Sequence, residues 1–156
     1  MPAPRAIRHI GLISDTHGLL RVSALQALEG SDLIIHAGDV GKPEIITALE
    51  ALAPVVVVRG NIDKGTQWPL TAVAEAGPVL IYALHDVHAL DLDPAAAGFQ
   101  IVVSGHSHKP AQSERRGVLY VNPGSAGPRR FQLPVTCARL DLAATPWKVG
   151  FVHLEP

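Results

Sequence analysis

Short apolar runs that stop abruptly at a carboxylate, an amide or an imidazole set the pattern of this chain. Residues 7–14 form the first run and end at Asp15-Thr16-His17-Gly18; an amphipathic stretch over about 20–28 follows and closes at Gly30. This predicts strand, loop and helix. Leu33-Ile34-Ile35 repeats the pattern, passes through the tight loop Ala37-Gly38-Asp39-Val40-Gly41, and reaches Pro43, which suits the first turn of a helix running to about residue 52. A third run, 55–58, ends in Arg59-Gly60-Asn61-Ile62-Asp63. Strands that are apolar on both faces and alternate with helices imply a parallel sheet with right-handed crossovers, whose loops gather at the strands' carboxyl ends.

The second half changes character. Residues 72–76, 79–84, 99–104, 111–115, 118–122, 134–142 and 147–154 all read as strands, and Gly77-Pro78, Arg116-Gly117 and Thr145-Pro146 supply turns that suggest hairpins. Only 92–98, with Asp93-Pro94 at its start, looks helical there. The expected fold class is α/β, a layered αββα sandwich in which two mixed β-sheets pack face to face and are flanked by helices. At 156 residues the chain has room for one ordinary core, so a single domain over 1–156 is expected.

Composition narrows the functional classes. A hydrophobic fraction of 47% with 17% charged residues argues against disorder, and no apolar stretch approaches the roughly 20 residues of a membrane span. The first residues lack an apolar leader with a cleavage site, so the expected location is the cytoplasm. Net charge is −1, and only Arg115-Arg116 and Arg129-Arg130 are paired cations, so nucleic-acid binding is not indicated. The single cysteine, Cys137, lies in an alternating run and reads as a small core residue. Eight histidines against only 4% aromatic residues call for an explanation, and metal ligation is the commonest one.

The histidines fall where such chemistry belongs. The β-branched run Ile101-Val102-Val103 leads into Ser104-Gly105-His106-Ser107-His108-Lys109-Pro110; Gly105 permits a sharp turn, and residues two apart in extended chain face one way, so His106 and His108 share a pocket. Strand ends carrying Asp15 and His17, Asp39, Asn61 and His85 repeat the arrangement. Singly, each has an ordinary explanation, such as a helix cap, a left-handed turn or a buried hydrogen-bonded histidine. Recurrence at one kind of position argues for a shared site. Seven such donors exceed the needs of one ion, and their oxygen and imidazole character suits Mn, Fe, Co, Ni or Zn. Two divalent ions are implied, about 3.5–4 Å apart if one aspartate bridges them.

In order along the chain, Asp15-Thr16-His17, Gly38-Asp39, Gly60-Asn61-Ile62-Asp63, His85, Gly105-His106-Ser107-His108 and Asn122-Pro123-Gly124-Ser125 resemble the calcineurin-like metallophosphoesterases, and within them the small bacterial and archaeal phosphodiesterases of the YfcE type. The resemblance implies a first ion on Asp15, His17 and His108, a second on Asn61, His85 and His106, and Asp39 bridging. It implies in-line attack of a metal-bridging hydroxide on a small phosphate-ester substrate, with manganese the foremost ion, and suggests a homodimer or homotetramer. Two ions outweigh the two carboxylates, leaving a positive pocket for an anionic ester.

Two departures stand out. Ile62 occupies the place where related phosphatases carry a histidine that can protonate a leaving group, which favours diesters with good leaving groups. His85-Asp86-Val87-His88 replaces a histidine-glycine-histidine pattern, leaving His85 or His88 as the ligand; His85 is preferred because it directly ends the run 79–84. Around the site, His36 is either a support for the ligands or a polar strand end, Arg129 and Arg130 read as solvent-facing, and His9 and His153 read as structural. The rival reading is a scaffold without turnover, since the small retromer subunit of eukaryotic vesicle sorting resembles the same family.

Overall fold

A computed structural model describes residues 6–155. Residues 1–5, on which the expectation of no export leader rests, lie outside the described residues. The elements in chain order are β1 (His9–Ile13), α1 (Val22–Leu28), β2 (Leu33–His36), α2 (Pro43–Glu50), β3 (Val55–Val57), β4 (Thr71–Ala76), β5 (Val79–Leu84), a 3-10 turn (Val87–Ala89), α3 (Pro94–Ala97), β6 (Ile101–Val103), β7 (Ala111–Arg115), β8 (Val118–Asn122), β9 (Thr136–Asp141) and β10 (Lys148–His153).

They form two mixed five-stranded sheets, ordered β10-β9-β1-β2-β3 and β4-β5-β6-β8-β7. In the first sheet β1, β2 and β3 run parallel, and β9 adds antiparallel to β1. In the second, β5, β6 and β8 run parallel. Hairpins join β4 to β5, β7 to β8 and β9 to β10, across the turns that Gly77, Gly117 and Pro146 predict.

Strand alternation decides what each face buries. Ile10 and Leu12 of β1, Leu33 and Ile35 of β2, and Ala138 and Leu140 of β9 meet Ile81, Ala83, Ile101, Val103 and Val121 of the other sheet in one core. The opposite face of the first sheet carries Ile13, Ile34 and Cys137, covered by Ala24 and Leu28 of α1 and Ile45, Ile46 and Leu49 of α2. The outer face of the second sheet packs Tyr82, Leu84, Val102 and Val118 against Leu90, Leu92 and Phe99. The layers are therefore helix, sheet, sheet and a thin outer layer.

That outer layer corrects one expectation. The helix read over 92–98 is the single turn Pro94–Ala97, capped by Asp93 at its start and stopped by Gly98 in a left-handed conformation. A further 3-10 turn at Val87–Ala89, capped by the Asp86 carboxylate, was not visible in the pattern. Several strands are shorter than their apolar runs; β6, read over 99–104, spans Ile101–Val103, with Phe99 packed on the outer face before it and Ser104, still bonded to the Val121 carbonyl, leading into the loop of His106. Among the described residues no helix is long and apolar enough to cross a membrane. Cys137 is fully buried and burial pushes its thiol up to about 12, in keeping with a core role.

Candidate metal centre

Loops leaving β1, β2, β3, β5 and β6 converge at one end of the sandwich. Asp15, His17, Asp39, His106 and His108 all adopt left-handed φ between 47° and 71°, and among the described non-glycine residues only Arg116 and Phe131 join them. Side chains avoid this region at a cost of about 1–2 kcal/mol each, and strain of this kind concentrates where function over-determines the backbone. The loops also press together too closely for ordinary side chains. A Cβ on Gly60 would collide with Asp39, and one on Gly105 would meet the Ser14 hydroxyl and the Asp15 carboxylate.

Each aspartate is held by one oxygen and presents the other. Asp15 Oδ2 accepts from the Ser14 hydroxyl at 2.6 Å and the His106 backbone N–H at 3.1 Å. Its Oδ1 is buried without a hydrogen-bond partner and faces His108 Nε2 at 3.3 Å, His17 Nε2 at 3.7 Å and His85 Nε2 at 3.9 Å. Asp39 Oδ1 accepts from the Ile62 backbone N–H at 3.1 Å, while Oδ2 lies 3.4 Å from His17 Nε2 and 3.3 Å from His85 Nε2. Burial alone would raise the Asp39 pKa, but the hydrogen bonds from His85 and Ile62 bring it down to about 2. An ionised carboxylate oxygen thus sits between histidines on two sides.

The histidines are oriented by what their outer nitrogens touch. His85 Nδ1 lies 2.8 Å from the Ala37 carbonyl, which can only accept, so Nδ1 carries a proton and Nε2 is the nitrogen turned inward toward Asp39. Burial disfavours its charged form, yet Asp39 and the Ala37 carbonyl outweigh this and raise its pKa. His108 is lowered, chiefly by burial. His106 is more open, 46% exposed, with Nδ1 3.3 Å from His85 Nε2 and Nε2 4.0 Å from Asp86 Oδ2.

Two sets of donor atoms are close enough for one ion each: Asp15, His17 and His108, and Asp15, Asp39 and His85. A buried carboxylate oxygen and a buried His17 Nε2, both without a hydrogen-bond partner and facing the same space, fit a divalent cation, which would satisfy both at once. Asn61 is exposed and lines a cleft together with His85 and Asp86. His88, the other reading of the ligand after β5, points away with its side chain 91% exposed, and its N–H and Nδ1 both bond Asp86 Oδ1, at 3.0 Å and 3.3 Å.

Support residues are where sequence reading was thinnest. His36 is fully buried; Gly38 N–H donates to its Nδ1 at 3.1 Å, so Nε2 carries the proton toward Thr16 Oγ1 at 3.0 Å, and that hydroxyl donates to the Val40 carbonyl at 2.8 Å. Burial lowers the His36 pKa to about 3, which makes it a neutral tie between the two aspartate loops. Asp63 accepts from the backbone N–H groups of Val40, Gly41 and Gly60, joining the Asp39 loop to the Asn61 loop. Asn122 donates to the Gly105 carbonyl and the Ser107 hydroxyl, and the Ser125 hydroxyl donates to the Asp15 carbonyl. Asp63, Asn122 and Ser125 all belong to the motif set, yet only tertiary contacts show what they hold. His9 pairs with Asp141 at 3.6 Å and His153 is exposed, both distant in role from the site.

The family model for the calcineurin-like phosphoesterase superfamily domain matches residues 9–145. A probable metallophosphoesterase of Methanothermobacter thermautotrophicus is 35% identical over 147 residues, 85% of this chain and 86% of that protein. Among solved structures, a predicted phosphoesterase of Streptococcus pneumoniae superposes with a TM-score of 0.77 at 26% identity, covering 97% of this chain and 95% of the other. An archaeal phosphodiesterase (TM-score 0.76, 22% identity, 92% and 99% covered) and Vps29 of Chaetomium thermophilum (0.74, 17%, 96% and 98%) share the fold.

Proposed function

The chain belongs to the calcineurin-like phosphoesterase superfamily, and on that premise we propose that it is a two-metal phosphodiesterase acting on small phosphate esters as a single domain in the cytoplasm. Asp15, His17 and His108 would hold the first ion and Asn61, His85 and His106 the second, with Asp39 shared between them. The observation that carries this reading is the convergence of Asp15 Oδ1 and Asp39 Oδ2, each left free by a partner oxygen that the protein has anchored, on inward-facing imidazoles. Mn²⁺ is the favoured ion, with Ni, Fe, Zn or Co as substitutes, since no thiolate is present in the donor set.

Two divalent ions held there would supply Lewis acidity toward phosphoryl oxygens and would make water acidic enough to act as a nucleophile near neutral pH. The chain's own part is positional. His85 keeps a proton on Nδ1 against Ala37, so Nε2 is the nitrogen that would give up its proton and bind an ion. Neutral His36 ties the Thr16 hydroxyl to the Gly38 backbone N–H from below. Ile62, 50% exposed beside Asn61, cannot protonate a departing alkoxide, which confines efficient turnover to esters whose leaving group departs as a stable anion.

The test is hydrolysis of bis-p-nitrophenyl phosphate against p-nitrophenyl phosphate by metal-stripped protein with Mn²⁺, Ni²⁺, Co²⁺, Zn²⁺ or Mg²⁺ restored. Metal-dependent turnover with preference for the diester is expected. Two ions bound per chain without turnover would instead favour a scaffold, the reading to which likeness to the Vps29 fold points.

A further inference from the structure

Two clefts flank the candidate centre and meet at Asp86. One, of about 610 Å³, is lined by Asn61 and His85 together with Arg59, Lys64 and Asp91, and has no Phe, Tyr or Trp in its lining. The other, of about 300 Å³, opens at His106 and Asn122 between the Asp86–His88 segment and the β7–β8 hairpin. Arg115 and Tyr120 line this second cleft and also a further cavity of about 320 Å³ that continues past Leu90, Leu92 and Pro94. The two cavities lie side by side along the outer face of the second sheet and share this pair as lining, the nearer one a groove that opens at the centre.

Resting on the phosphodiesterase reading, we infer that this groove seats a planar aromatic arm of the substrate, an aryl or nucleobase-bearing ester group, with the phosphate at the metal centre. The Arg115 guanidinium carbon stands 5.4 Å from the centroid of the Tyr120 ring, so a cation and a ring already form a layered surface in the groove. Planar groups stack on such surfaces through ring faces and guanidinium planes. The placement suits the task. Tyr120 pairs with Val102 on the parallel neighbour β6, which ends at Val103 just before the loop that carries His106, and Tyr120 and His106 line the same cleft, so one ligand can meet both.

The groove's charges are of both signs: Asp86 shares its wall with Lys109 and Arg115, and in the adjoining cavity Arg116 is paired with Asp93 at 3.5 Å, so its selectivity rests on the ring surface rather than on net charge. The larger cleft, with Arg59 and Lys64, takes the other arm of a diester, and a monoester fills only one of the two.

The test compares binding of 4-biphenylylphosphonate and methylphosphonate, whose P–C bonds resist hydrolysis, to Mn²⁺-loaded protein by titration calorimetry. The aromatic compound is expected to bind about tenfold more tightly. Tyr120→Leu should abolish that preference and Arg115→Gln should reduce it, both leaving methylphosphonate affinity unchanged, while Tyr120→Phe should keep it. Arg115 is exposed, so its variant reports on the groove without disturbing the core. A wild-type protein indifferent to the ring, or a preference surviving in both Tyr120→Leu and Arg115→Gln, overturns the inference. Neither phosphonate binding would overturn the metal-centre reading, and the groove assignment with it.

Discussion

Asp63→Ala is the substitution whose cost follows most directly from the coordinates. The carboxylate is 2% exposed and accepts three backbone N–H groups: Val40 and Gly60 on Oδ2 at 3.1 Å and 2.9 Å, and Gly41 on Oδ1 at 3.1 Å. Hydrogen bonds to a charged group contribute about 1.5–3 kcal/mol each, and a buried donor left alone forfeits its solvation. The Val40 N–H is buried, whereas the Gly41 and Gly60 bonds are partly open to water, so the three losses do not add in full. A net destabilisation of about 3–4 kcal/mol is expected, within the roughly 5–15 kcal/mol that a domain of this size has to lose. Asp63→Asn can keep its oxygen toward Val40 and Gly60 but turns an NH2 toward the Gly41 donor, for about 1–2 kcal/mol. Urea unfolding of metal-free protein followed by circular dichroism measures both, with unchanged m reporting an unchanged native state. Metal content should fall in the same order, since Asp63 is what ties the Asp39 segment to the Asn61 segment. Asp63→Ala within 1 kcal/mol of the parent, or Asn as costly as Ala, would refute the reasoning.

Asp39→Asn should lose most turnover and metal while its urea midpoint shifts little, because the site stands at strand ends outside the apolar layers; full activity would sink the bridging assignment. His108→Ala should lower metal content and turnover far more than His88→Ala, as one side chain is buried against Asp15 and the other is in solvent. The reverse order in a metal-binding titration would move the second ligand to His88. His36 supplies a pH signature: its folded pKa, about 3, lies below the ordinary 6.5, so the unfolded chain takes up the extra proton between those values. Stability from this group is complete above 6.5 and declines as pH falls toward 3, by about 1.4 kcal/mol per unit. Urea titrations of chelator-treated protein at pH 7, 6 and 5 should show the gap between wild type and His36→Gln narrowing with acid; a constant gap would mean His36 is not the neutral tie described.

Much of the architecture could be read along the chain because both periodicities that matter are local. Apolar runs gave the strands, Gly-Pro and Arg-Gly turns gave the hairpins, and the abrupt polar stops marked the converging loops. The 92–98 segment is helical as its Asp93-Pro94 start predicts, but for a single turn, because its role is to lay Leu92 and Phe99 on the second sheet. His85 and His88 are nearly equivalent in sequence. They are separated only by the 3-10 turn that Asp86 caps, which carries His88 outward.

What the sequence by itself determined is the donor chemistry: which carboxylates, amides and imidazoles end apolar runs, and that no thiolate competes. Only the tertiary structure decided how those donors point. Which oxygen of Asp15 is anchored and which is free depends on Ser14 and on a backbone N–H ninety-one residues away; the protonated nitrogen of His85 depends on a carbonyl of another sheet. His36 and Asp63 gain their roles the same way, from partners at least twenty residues distant for most of their bonds. Residue type is a local property. Orientation and protonation answer to neighbours in space, and those exist only once the two sheets have closed on each other.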